Sequence, residues 1–162
     1  MFQLFFRVLL LAVFAVWFGG FTFYAAAVVP IGTEVLGSSR TQGFVTQRVT
    51  DVLNATGGFA ILLMMVDWLT FSRATGHRLK RPQLAAILLL VTTWVLLVLI
   101  HPGLDSLLEP EHEHVENEIR FYNLHRFYLW ISTVQWLLCW VYLGLLLRGW
   151  TTVPPLHPSS ES

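Results

Sequence analysis

Nine side chains that can donate, accept or bind a metal recur along one stretch of the chain: Glu111, His114, Glu118, His125, Tyr128, Ser132, Gln135, Cys139 and Tyr142. The steps between them are 3, 4, 7, 3, 4, 3, 4 and 3 residues, which is the heptad-like rhythm of one helix face, and Phe121 fills the skipped position. Three kinds of chemistry are open to such a line. Glu111, His114 and Glu118 have the donor types for a divalent cation, although Glu-x-x-His occurs once where a di-iron bundle needs it twice with further carboxylates. His101 and His125 are the candidate axial ligands for a haem, which requires two histidines at similar depth on facing helices. The same two also stand as weak metal candidates, and as ordinary histidines at helix ends. Tyr128, Ser132, Gln135 and Tyr142 can line a path for a ligand or ion, or can bind neighbouring helices together by hydrogen bonds.

Two further polar residues interrupt apolar sequence. Asn54 and Asp67 lie at opposite ends of the run from Val52 to Phe71. A carboxylate in an apolar helix marks a functional site by default and calls for a partner, for which Tyr142 and Arg7 are at similar depth. The plainer alternative is an interfacial Asp67 that reaches toward water and pairs with Arg73. No nucleophile motif, phosphate-binding glycine loop or dinucleotide fingerprint is present, so no catalytic residue is assigned.

The elements that must position these side chains are apolar. Hydrophobic residues make up 55% of the 162 and charged residues 12%, about half the charged share of a soluble domain. Spanning about 30 Å of hydrocarbon takes roughly 20 apolar residues in a helix. Four runs answer to this: about 5–29, ended by Pro30 and Gly32; about 52–71; about 83–100, between Pro82 and His101-Pro102; and about 127–147, ended by Arg148-Gly149. Backbone groups in hydrocarbon must be paired within the segment, so each run is expected to be a helix. The expected fold is an all-α, integral membrane four-helix bundle forming one domain over 1–150, with a Pro/Ser-rich disordered tail over 151–162. The first run is too long, and too poor in basic residues, for a secretory signal, and is expected to stay as a span.

Pro110 suits the first position of a helix. Glu111 and Glu113 behind it suit the helix dipole. The last helix is therefore expected to begin outside the membrane, over about 110–126, and to run on as the fourth span. Its polar face would turn inward, because polar groups facing lipid are costly. Basic residues set orientation. Six (Arg7, Arg73, Arg78, Lys80, Arg81 and Arg148) fall on the side of both termini, and four (Arg40, Arg48, Arg120 and Arg126) on the other. The expected location is a bacterial inner or cytoplasmic membrane with both termini in the cytoplasm. The acidic third loop then faces out.

Positive and negative charges cancel, and no basic groove accompanies the aromatic residues, so nucleic acid is not an expected partner. One cysteine, Cys139, allows no intrachain disulfide. Gly19-Gly20 and Gly57-Gly58 lie within spans, where small residues let helices approach closely.

The end of the first run, Trp17-Phe18-Gly19-Gly20-Phe21 followed by Val28-Val29-Pro30, resembles the first helix of the family catalogued as domain of unknown function 4149, which includes the transmembrane protein 205-like proteins. Phe121-Tyr122-Asn123-Leu124-His125-Arg126 is similar to the Leu-His start of that family's last helix. The order of elements agrees over about residues 5–147. The chain departs at Tyr128 and at Ser132-Thr133-Val134-Gln135-Trp136, where the family pattern is of Ser and Asn, and in its acidic third loop. The resemblance implies a small four-span membrane protein and singles out His125 and the Gly19-Gly20 turn. It implies no reaction.

The functional reading is a small polytopic membrane protein that binds a partner or serves as accessory subunit of a membrane complex. Its partners are the lipid bilayer and a protein partner or a further copy of itself. No cofactor is expected on this reading. A small transporter or ligand-binding bundle, and a haem- or metal-binding redox protein, are the alternatives.

Overall fold

A computed structural model describes residues 1–71, 77–108 and 118–151. Within them the chain is helical: α1 (Phe2–Phe23), a π-helical turn (Tyr24–Val28), α2 (Val29–Leu36), α3 (Ser39–Phe71), α4 (His77–Asp105) and α5 (Glu118–Thr151). Four helical segments are long and apolar enough to cross a membrane: Phe2–Leu36, Arg40–Thr70, Leu79–Asp105 and Ile119–Trp150. The protein is thus an all-α, multi-pass membrane four-helix bundle.

The helices outrun the apolar stretches. The first does not stop at Pro30 and Gly32. The N–H of Val29 bonds to the carbonyl of Tyr24, five residues back. That widened turn comes just before Pro30, which opens α2 at a position where a missing N–H does no harm. The segment ends instead at Gly37, whose φ of 63° is the left-handed conformation glycine adopts without strain. Likewise α4 runs through both Pro82 and Pro102. The expected start of the last helix at Pro110 lies outside the described residues, as do the tail from 152 on and Arg73. With 34 residues, α5 is about 51 Å long, well beyond the bilayer core. The segments before and after it in the ring extend in the same way, so a long reach is common to the bundle and is not special to α5.

Neighbouring helices are antiparallel, with α1 packed on α3, α3 on α4 and α4 on α5. Large aromatic side chains close the ring between α1 and α5. Phe14 meets Tyr142 at 6.2 Å, Phe18 meets Trp140 edge-on at 5.1 Å, and Phe18 meets Trp136 at 6.0 Å between ring centroids. The core between the helices is filled by Leu10, Met64, Ile87 and Leu90, all fully buried. At mid-height, Gly57 and Gly58 of α3 let two indoles in. A Cβ on Gly57 would lie 2.6 Å from Nε1 of Trp17, and one on Gly58 would lie 2.7 Å from Cζ2 of Trp94. The close approach at this pair is thus of tryptophans. Gly19 and Gly20 sit inside α1 and form no turn; a Cβ on Gly19 would touch nothing within 4 Å.

Charge marks where the bilayer lies. From Asp51 to Asp67 on α3 is about 24 Å, from Arg81 to His101 on α4 about 30 Å, and from Arg126 to Arg148 on α5 about 33 Å. This band, free of formal charge between those limits, matches about 30 Å of hydrocarbon. Beyond it, at the end opposite the termini, α2 packs on the first turns of α3.

A polar line inside the bundle

Burial along α5 separates its two faces. Ser132 is 4% exposed, Gln135 8% and Tyr142 2%, whereas Trp130 is 67% exposed and Leu137 53%. The polar side chains face the other helices and the apolar ones face outward, the arrangement a hydrocarbon solvent selects. Thr133 on the outward face bonds to the carbonyl of Leu129, which satisfies its hydroxyl within the helix.

Near the termini, the line reaches Asp67 of α3. This carboxylate is 8% exposed and lies within electrostatic reach of both Arg7 on α1 and Tyr142 on α5. The Arg7 guanidinium lies over the Trp150 ring, 4.7 Å from its centroid. Asp67 Oδ1 and Arg7 Nε are both buried without a hydrogen-bond partner. Beside them Gln83 donates through Nε2 to the Leu145 carbonyl at 3.2 Å and ties the start of α4 to α5.

Midway, Ser132, Gln135 and Cys139 face Trp17, Phe18 and Trp136 around a cavity of about 10 Å³, the size of one water molecule. Gln135 Nε2 is buried there without a partner. Trp136 closes the neighbouring contact by donating through Nε1 to Thr22 Oγ1 at 3.0 Å.

At the far end, the buried His101 is held by carboxylates. Nδ1 lies 2.8 Å from Asp105 Oδ2, one turn on along α4, and 3.9 Å from Asp51 Oδ1 on α3. Its ring meets that of Tyr128 edge-on at 6.4 Å. Asn54 reaches the Tyr128 hydroxyl with its side chain, and its carbonyl accepts from Trp94 Nε1 at 2.8 Å. Three helices therefore meet at this cluster.

The remaining sequence candidates fall elsewhere. His125 stacks on Phe121, with centroids 5.7 Å apart and an interplanar angle of 9°. The His101 ring instead meets that of Tyr128. Among the described residues no group of three or more His, Cys, Asp or Glu has the arrangement to hold a metal. Glu111, His114 and the Glu118 side chain lie outside the described residues.

One polar cluster was not anticipated. The Tyr24 hydroxyl donates to Thr46 Oγ1 at 3.0 Å and accepts from Gln42 Nε2 at 3.2 Å, and Gln42 is 3% exposed. A side chain on Gly32 would overlap the Gln42 amide. The available signal was Gln42 and Thr46 four residues apart, on one helix face. It was hidden because the second helix was expected to begin near residue 52, whereas α3 begins at Ser39. Asp51 and Asp105 were missed as partners of His101, although His101 and Asp105 are also four residues apart.

No family model, curated protein or solved structure matches the chain.

Proposed function

We propose that this membrane protein works through association, as an accessory or binding subunit that docks a protein partner, or a further copy of itself, on the end of the bundle away from the termini. The observation that carries this reading is apolar side chains exposed beyond the band that is free of charge. Val35 on α2 is 77% exposed and Ile119 at the start of α5 is 76% exposed. Both lie beyond the level of the His101 cluster, beside charged residues such as Glu34, Arg40 and Arg120. Apolar surface outside the hydrocarbon, rimmed by charge, is the mark of a protein contact. The lysine and arginine bias supports a reading with the termini in the cytoplasm and this surface on the outer side of a bacterial inner membrane. The resemblance to the domain of unknown function 4149 and transmembrane protein 205-like family belongs to the same proposal, and it supplies a fold and no chemistry.

The test is extraction of the full chain from its native membrane into lipid nanodiscs, with a photo-crosslinking residue at Val35. A discrete crosslinked species that is lost on Ile119→Glu supports association. A chain that stays a monomer under the same light, at native abundance, rules it out. The transporter alternative draws on the same inward line, where the space beside Ser132, Gln135 and Cys139 is about 10 Å³ and a carried solute would need more. The redox alternative keeps His101 and His125 as its candidates, and an optical spectrum with metal analysis of the purified protein decides it.

A further inference from the structure

Gln135 Nε2 is a buried amide nitrogen without a hydrogen-bond partner among the described residues, on a side chain from a residue only 8% exposed. Buried polar atoms are rarely left in that state, and an ordered water often supplies the missing bond. Depth makes the absence sharper. Along α5, Gln135 lies about 14 Å from Arg126 and about 20 Å from Arg148, well inside the band free of formal charge. Hydrocarbon at that depth offers no acceptor. A lipid headgroup or a second chain would have to reach the amide nitrogen from outside, and that atom is closed off from the surface. What remains is a small molecule held inside the bundle.

The fold has room for one. Ser132, Gln135 and Cys139 border a cavity of about 10 Å³ with Trp17, Phe18 and Trp136, and a single water needs about that much. Such room persists at the seam between α1 and α5 because large rings fill it in place of close backbone approach. Chemistry narrows the partners. Trp136 Nε1 already donates to Thr22 Oγ1 at 3.0 Å. The Ser132 hydroxyl oxygen has lone pairs to offer, and the Cys139 thiol is a weak donor and acceptor. The last torsion of a glutamine side chain is soft, so the Gln135 amide turns toward the cavity at little cost.

From these observations we propose that the cavity is a binding site for one water molecule in the interior of the membrane, held by Gln135 and Ser132 with Cys139 at its edge. The water accepts from Gln135 Nε2 and donates to Ser132 Oγ. It thereby satisfies the amide that neither the chain nor the lipid satisfies, and it fixes the Gln135 side chain at the α1–α5 seam. Aromatic side chains of α1 pack around it, and no larger solute fits. The water is a resident part of the fold.

The isotope-labelled full chain, reconstituted into bilayers of deuterated lipid, tests this by proton-detected solid-state NMR. The Gln135 side-chain amide is assigned through its own backbone, and magnetisation transfer from water to that amide is measured. A clear transfer peak is expected in the parent. It should fall at least threefold in Ser132→Val, which removes the acceptor and puts a methyl group into the cavity. Thr133→Val, on the outward face, leaves it unchanged. A parent protein with no water peak at the Gln135 amide overturns the proposal. So does a peak of equal strength in Ser132→Val. If Ser132→Val does not reconstitute, the presence or absence of the peak in the parent decides.

Discussion

The two ends of the inward line use the same materials differently. At the far end His101 is met by Asp105 at 2.8 Å and by Asp51 at 3.9 Å. At the other end Asp67 and Arg7 feel each other's charge, yet each keeps a buried atom unpartnered. Both set a carboxylate beside a basic side chain near a boundary of the band free of charge. The first is closed, with His101 in contact with Asp105 one turn along α4 and within 3.9 Å of Asp51 on α3. The second is open, and in a medium that penalises unpaired polar atoms an open site is costly to keep. The difference separates a joint that holds helices together from a site left available for something else to bind.

Substitutions can break or sharpen that contrast. The largest effect is expected between the two ends, where Gly57→Leu drives a side chain into Trp17. Overpacking there should cost about 3 kcal/mol of stability, read as a lowered thermal midpoint in detergent. It sets the scale for the ends. His101→Ala should cost about 2 kcal/mol, because it strands Asp105 and leaves the Tyr128 ring without its neighbour. Asp67→Asn should behave in the opposite way, within about 1 kcal/mol of the parent and toward higher stability, because it removes a buried charge whose Oδ1 has no hydrogen-bond partner. A loss in Asp67→Asn as large as that in His101→Ala would show that the two sites are the same kind of joint. Smallest of all, Val35→Ser should change stability by less than about 0.5 kcal/mol. It should weaken crosslinking to a partner all the same.

The architecture was legible because hydrocarbon leaves so few options. Four apolar runs and the rule that backbone groups must pair internally give four helices directly. The inward turn of Ser132, Gln135 and Tyr142 followed from spacing alone. Helix ends were less legible. Pro30 reads as a stop, and the π-turn at Tyr24–Val28 that carries the chain past it has no signature in composition. The start of α3 at Ser39, ahead of the apolar run at 52, hid the Tyr24, Gln42 and Thr46 cluster. The pairing of His101 with Asp105 was visible as a four-residue spacing, but Asp51 came from another helix. Reaching it needed the register of α3 against α4, which apolar runs do not encode. Asp67 was read either as a site with Arg7 or Tyr142 near it or as an interfacial residue pairing with Arg73. Its open state depends on side-chain distances, and sequence does not hold those.

The central claim is that α5 turns its polar file inward while its apolar face meets lipid. Nitroxide labels placed one at a time from Tyr128 to Tyr142, in a Cys139→Ala background and in a lipid bilayer, test it through collisions with dissolved oxygen. Maxima are expected at Trp130, Val134, Leu137 and Val141, with minima at Ser132, Gln135, Cys139 and Tyr142. A flat profile, or one with the maxima and minima exchanged, would contradict the account.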